Sequence, residues 1–127
     1  MMAFNAASIY KKTNINTASP ADLTLMLYDG AIKFCNIAFF AMEKKDLEKC
    51  NLNIQKAKAI IEELRSTLDF KYTVAKDFDR VYDYIGWVLL QANIKKDPAL
   101  LEEGLQQIRE MRDTWKEVIK KTKMASA

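Results

Sequence analysis

Histidine is absent from this sequence, and with it go the commonest general base, the commonest metal ligand and every Ser-His or Cys-His nucleophile pair. Two-metal bundle sites built on Glu-x-x-His pairs are excluded for the same reason. Glycine is nearly as scarce: Gly30, Gly86 and Gly104 each stand alone inside a helical pattern, so there is no glycine-rich loop to cradle a phosphate. Proline occurs twice, directly after Ser19 and directly after Asp97. Sustained strand-like alternation is missing as well, which points to an all-helical chain. Carboxylates could act without histidine, but those here alternate with lysines on outer helix faces, as solvated surfaces do. No catalytic residue, metal or cofactor is therefore expected.

Charge of one sign is lacking too. Lys plus Arg exceed Asp plus Glu by only 20 to 17, too slight a surplus for a nucleic-acid footprint. The basic tail Lys116, Lys120, Lys121 and Lys123 lies where cations meet the negative end of a helix macrodipole. The two cysteines, Cys35 and Cys50, fall at apolar helix-interior positions. They read as small buried hydrophobes in a reducing compartment and not as a disulfide framework. No basic segment followed by an apolar run opens the chain, so a secretory signal is not expected.

What the chain does have is apolar surface. Half of its 127 residues are hydrophobic, enough for one domain with a real core. The stretch Leu23–Met42 holds most of the surplus. At about 100° per residue, Asp22, Asp29, Lys33, Asn36 and Glu43 share an arc roughly 80° wide. Nearly everything else on that helix is apolar, in two stripes: Leu23, Met26, Leu27, Phe34, Ile37, Ala41, and beside them Tyr28, Ile32, Cys35, Phe39, Met42. A helix apolar nearly all round is buried by neighbours on most sides, so the other helices should surround it. Asp29, Lys33 and Asn36 interrupt its middle, where charge is costly in a bilayer; stable membrane insertion is not expected.

The spacing predicts four helices. Ser19-Pro20-Ala21-Asp22 supplies an N-cap, a proline at the first helical position and a capping-box acid, and the helix runs to about Lys44. Asp46 caps a second helix with the seam Leu47, Cys50, Ile54, Ala57, Ile61, Leu64, Leu68. Residues 69–76 break that pattern. The third helix gathers Phe78, Val81, Tyr82, Ile85, Val88, Leu89 and Ala92 within roughly 120°, with Trp87, Leu90 and Ile94 almost opposite. Asp97-Pro98 opens a fourth, whose inner face is Leu101, Leu105, Ile108, Met111, Trp115 and Ile119, to about Lys121. Short links between helices of about twenty residues favour an antiparallel up-down four-helix bundle. Residues 19–123 form the bundle, 1–18 a flexible N-terminal arm carrying Phe4, Ile9, Tyr10 and Ile15, and 124–127 a disordered tail.

Some of this apolar surface has no structural use in a monomer: the broad face of the first helix, the stripe Trp87, Leu90, Ile94, and the arm. Exposed apolar patches mark interaction sites, and amphipathic helices dock into grooves between helices. Two readings stand side by side. One is a bundle that binds another helical chain; the other is a structural or adaptor bundle whose surface serves a homo-oligomer or its own arm.

Tyr10, Asn16-Thr17-Ala18-Ser19-Pro20, Leu23 and Met26-Leu27-Tyr28-Asp29-Gly30-Ala31-Ile32-Lys33-Phe34, followed by Tyr82-Asp83-Tyr84, Ala92-Asn93, Lys96-Asp97 and Arg112-Asp113-Thr114-Trp115, resemble the flagellar secretion chaperones of the FliS family. The resemblance covers almost the whole chain in order. It implies a cytoplasmic chaperone, a monomer or weak homodimer, that binds the C-terminal helical segment of flagellin, prevents premature polymerisation and presents it to the flagellar type III export apparatus. The arm would lie over part of a groove and move aside for the client. Expected client contacts are Ile9, Tyr10, Ile15, Tyr28, Ile32, Phe40, Trp87, Leu90 and Ile94. Two departures from the family pattern stand out: Ala7 where relatives carry an aromatic, and Trp87-Val88 where relatives often carry two arginines.

Overall fold

The structure is a computed structural model that describes the backbone of residues 19–126 and the side chains of residues 19–121. Residues 1–18, and with them the arm and its Ile9, Tyr10 and Ile15, lie outside the described residues.

Four helices follow in order: α1 Pro20–Glu43, α2 Leu47–Ser66, α3 Val74–Lys95 and α4 Pro98–Ser126. Three of them begin at a side-chain cap, while α3 starts after Thr73 without one. The Ser19 hydroxyl accepts from the Asp22 N–H at 3.1 Å while the Asp22 carboxylate reaches back to Ser19, the expected capping box. The Asp46 carboxylate accepts from the Lys49 N–H, and Asp97 from the Ala99 N–H. Caps of this kind are worth about 1 kcal/mol each. Two of the three reversals are tight, and each places a lysine where glycine is usual: Lys45 at φ 61° and Lys96 at φ 49°. The Lys96 ammonium folds back onto the carbonyl oxygen and the side-chain oxygen of Asn93, which closes the end of α3. The remaining connection spans 67–73, starting two and ending three residues before the expected 69–76, and the α4 backbone stays helical to Ser126, past the expected end near Lys121.

The helices form a ring in which α1 packs on α2 and α4, and α3 on the same two. The connections of only a few residues make sequence neighbours antiparallel, giving the up-down four-helix bundle. The core is Ala31, Cys35 and Ala38 from α1, Cys50, Ile54, Ala57, Ile60, Ile61 and Leu64 from α2, Ile85 and Leu89 from α3, and Leu101, Leu105 and Ile108 from α4. Each fully buried Leu or Ile contributes about 1.5–3 kcal/mol. The one polar residue buried with them, Asn53, donates to the Lys49 carbonyl at 2.8 Å. Among the described residues no buried side-chain N or O atom lacks a hydrogen-bond partner.

Two expectations are corrected here. The other helices do not enclose α1, which is long and apolar enough to cross a membrane yet is only half buried, resting on two neighbours. Leu47, assigned to the α2 seam, is exposed at the first position of its helix, while Asn53 and Ile60, outside that seam, are buried. The reason is that α2 packs against α1 and α3 at once, which widens its buried face beyond a two-helix seam.

Cys35 and Cys50 are free and fully buried, and burial pushes the Cys35 thiol up to about 12. Thiolate is the reactive form. The native chain is therefore expected to show no fast reaction with a water-soluble disulfide reagent at neutral pH, and two equivalents after unfolding in denaturant; rapid labelling of the native chain would contradict this packing.

Candidate functional site

The motif Tyr82-Asp83-Tyr84 ties α3 to all three other helices. Successive residues on a helix point about 100° apart, and here each finds a different neighbour. The Tyr82 hydroxyl hydrogen-bonds the Tyr28 hydroxyl of α1 in the interior. Asp83 accepts from Arg65 of α2 at 3.1 Å, and Arg65 also grips Asp79 at 2.5 Å. The Tyr84 hydroxyl donates to Glu103 of α4. The other motif residues work the same way: Arg112 pairs with Asp29 at 3.6 Å, the Trp115 indole donates to the Ala21 carbonyl at 3.0 Å, and the Asn93 amide donates to Asn51 at 2.7 Å. Tyr28, Asp29, Tyr82 and Trp115 thus hold the bundle together.

Tyr28 and Tyr82 are both buried, and burial raises the pKa of each hydroxyl above its ordinary value, for Tyr28 with a further push from Tyr82. Raised folded-state values mean that stability is complete below the unfolded tyrosine pKa, near 10, and is lost as pH rises beyond it, because the unfolded chain releases those protons first. Chemical denaturation followed across pH 9–11.5 is expected to show the midpoint falling above about pH 10. Tyr28→Phe, which has one fewer buried hydroxyl to ionise, should show a shallower fall.

Among the described residues, three depressions stand out. Beneath the start of α1, a cavity of about 310 Å³ opens between helix ends, with the Tyr28–Tyr82 pair on its wall and Leu68, Tyr72, Val74, Phe78 and Trp115 around it. A shallow hollow of about 220 Å³ lies between α1 and α2, beside Phe40, Ile37, Lys44 and Lys49. The third is a trough of about 270 Å³ between α2 and α3: Gly86, Ile61 and Tyr82 lie within it, Lys58 and Glu62 form one wall, Trp87 and Leu90 the other, and the Arg65–Asp83 pair crosses from wall to wall. Trp87 is held ready, its ring stacked on Tyr84 with centroids 6.3 Å apart and planes inclined by 25°. Tyr84 is in turn fixed by Glu103.

The structure places the expected contact residues in three groups. Trp87, Leu90 and Ile94 form one exposed stripe along α3, 55%, 40% and 67% accessible, beside the trough. Phe40, 63% accessible, lies on the α1–α2 hollow instead. Tyr28 and Ile32, in contrast to the expectation of an open first-helix face, are buried at 1% and 8%: the stripe that holds them is the one α2 and α4 cover, and Tyr28 reaches the surface region only as part of a cavity wall. Sequence reasoning missed Gly86 in the trough and Tyr84 under Trp87. It also missed the exposed Phe70, Tyr72 and Val74 near the 67–73 connection. The aromatic spacing of Tyr84 and Trp87, three apart on one helix, is the signal that could have paired them. Among the described residues no cluster of His, Cys, Asp and Glu suits a metal.

Comparison with known proteins agrees with this arrangement. The family model described as flagellar protein FliS matches residues 2–122. The chain is similar to the flagellar secretion chaperone FliS of Bacillus subtilis, 41% identical over 115 residues that cover 91% of this chain and 86% of that one. It is likewise similar to the FliS chaperones of Vibrio cholerae, 32% identical over 86% of this chain and 85% of that one, and of Escherichia coli, 32% identical over 87% and 84%. A match over nearly the full chain, with the motif residues placed as the ties between helices, leaves one conclusion: this chain belongs to the FliS family.

Proposed function

We propose that this flagellar secretion chaperone holds the C-terminal helical segment of flagellin on the stripe Trp87, Leu90 and Ile94 and in the trough beside it, with Phe40 as a second contact. The observation that supports this reading is the stripe itself: large apolar side chains, one of them pre-stacked, exposed next to the trough between α2 and α3. Helices that pack against other subunits in a filament are adhesive before assembly, and a holding protein needs to offer substitute apolar surface until export. Burial at about 25 cal/mol per Å² drives such capture, less the cost of ordering the bound segment. No nucleotide is needed for it. The proposed place of action is the cytoplasm, with hand-over to the export apparatus following capture.

The test is seeded polymerisation of the flagellin of the same bacterium, followed by light scattering. One equivalent of this chain is expected to suppress filament growth, and a further excess of flagellin to restore it. Growth unaffected by the chain, together with a stable homo-oligomer of the chain alone, would favour the self-association reading.

A further inference from the structure

Gly86 lies in the interior of α3 in ordinary helical conformation, and a Cβ built on it would meet nothing within 4 Å. Neither structural reason for a helix-interior glycine applies to it: φ is not positive, and no neighbour in the bundle needs the space. Gly104 is the contrast. A Cβ there would come within 2.9 Å of the buried Leu89 side chain, so its smallness is used by the packing of α4 on α3. Alanine at position 86 would make the better helix, so the room above Gly86 serves nothing within the described chain.

We propose that Gly86 is the point of closest approach for a helix of the client, which lies along the α2–α3 trough with its backbone near that of α3. This rests on the client reading above and adds where the helix crosses and what sequence it must carry. A helix is the fitting occupant because the walls of the trough are helices whose backbone groups are already bonded internally, leaving side chains and no strand edge for recognition. Close approach at Gly86 calls for Gly, Ala or Ser on the client at the crossing, with an apolar residue three or four positions away to meet Trp87 and Leu90. The opposite wall supplies the charge code. Lys58 and Glu62 stand one turn apart, and neither has an ion-pair partner among the described residues. The matching client edge is an acidic and a basic residue one turn apart.

The experiment is a calorimetric titration of the full chain and its variants with the C-terminal helical segment of flagellin from the same bacterium, with thermal melts alongside. Gly86→Ala is expected to raise the melting midpoint by a few degrees yet weaken binding about three- to tenfold. Gly86→Leu should keep the helical signal and weaken binding about 5- to 150-fold, since overfilling a contact typically costs about 1–3 kcal/mol. Gly104→Ala, on the far side of α3, should alter the melt and leave affinity unchanged. Lys58→Glu should weaken binding several-fold at low salt and less at high salt. Wild-type binding with undiminished affinity in both Gly86 variants would overturn the trough as the client's seat. Conversion of a wild-type dimer to a monomer by Gly86→Leu, with client affinity intact, would overturn it in favour of a second copy of the chain. Failure of the wild type to bind would instead overturn the client reading on which the proposal rests.

Discussion

Tyr28→Ala is expected to lower the stability of the bundle by about 3–5 kcal/mol, the range for removing a large buried aromatic. The ring is almost fully buried, tilted against Tyr82 with centroids 6.5 Å apart, and Tyr82 in turn meets Phe78 edge-on. Removing it deletes the first member of that stack and leaves the buried Tyr82 hydroxyl without its partner, which alone costs about 1–3 kcal/mol. Because Tyr28 also lines the open cavity at that end, water can reach the vacated space, which places the expected value in the lower half of the range. Tyr28→Phe keeps the ring and should cost about 1–2 kcal/mol. Against a total of about 5–15 kcal/mol for a domain, the alanine variant should show a clearly lower urea midpoint by circular dichroism. A midpoint within error of the wild type would mean that the two tyrosines do not join α1 to α3.

The second large effect concerns binding and leaves folding untouched. Trp87→Ala is expected to weaken capture of the flagellin segment about 30-fold, equivalent to about 2 kcal/mol, the level at which interface hot spots are recognised. Tryptophan buries more area than its neighbours on the stripe, and stacking on Tyr84 fixes its ring before the client arrives, so little rotamer freedom is lost on binding. The side chain is largely exposed in the free chain, so its removal should change stability by no more than about 0.5 kcal/mol. A variant unchanged in both client affinity and self-association would show the stripe to be idle.

Three helix starts were legible because capping is local: Ser19 with Asp22, Asp46 with Lys49, and Asp97 with Ala99 need only a few residues of sequence; α3 has no such cap and starts at Val74, inside the stretch expected to connect. The inner faces of α3 and α4 were legible for a related reason, since on each helix one broad apolar arc holds most of the large apolar side chains. On α1 two apolar stripes compete, and only the positions of α2 and α4 decide that Tyr28 and Ile32 go inside. The outward stripe of Trp87, Leu90 and Ile94 could be seen because the core arc of α3 was already filled. Gly86 could not: along the sequence a helix-interior glycine reads as a weakness, and it becomes informative only when the space above it is seen to be empty while that above Gly104 is full. The three-way anchoring by Tyr82, Asp83 and Tyr84 was hidden for the same reason, since their partners at Tyr28, Arg65 and Glu103 are brought near by the fold alone.

The central claim is that this chain captures a helical segment by burying apolar surface. Titration of the chain with the C-terminal segment of its own bacterium's flagellin, by calorimetry at several temperatures with light scattering for stoichiometry, tests it most directly. The account predicts one-to-one binding with a negative heat-capacity change, the marker of apolar burial. Absence of binding, or binding whose heat does not vary with temperature, would contradict it.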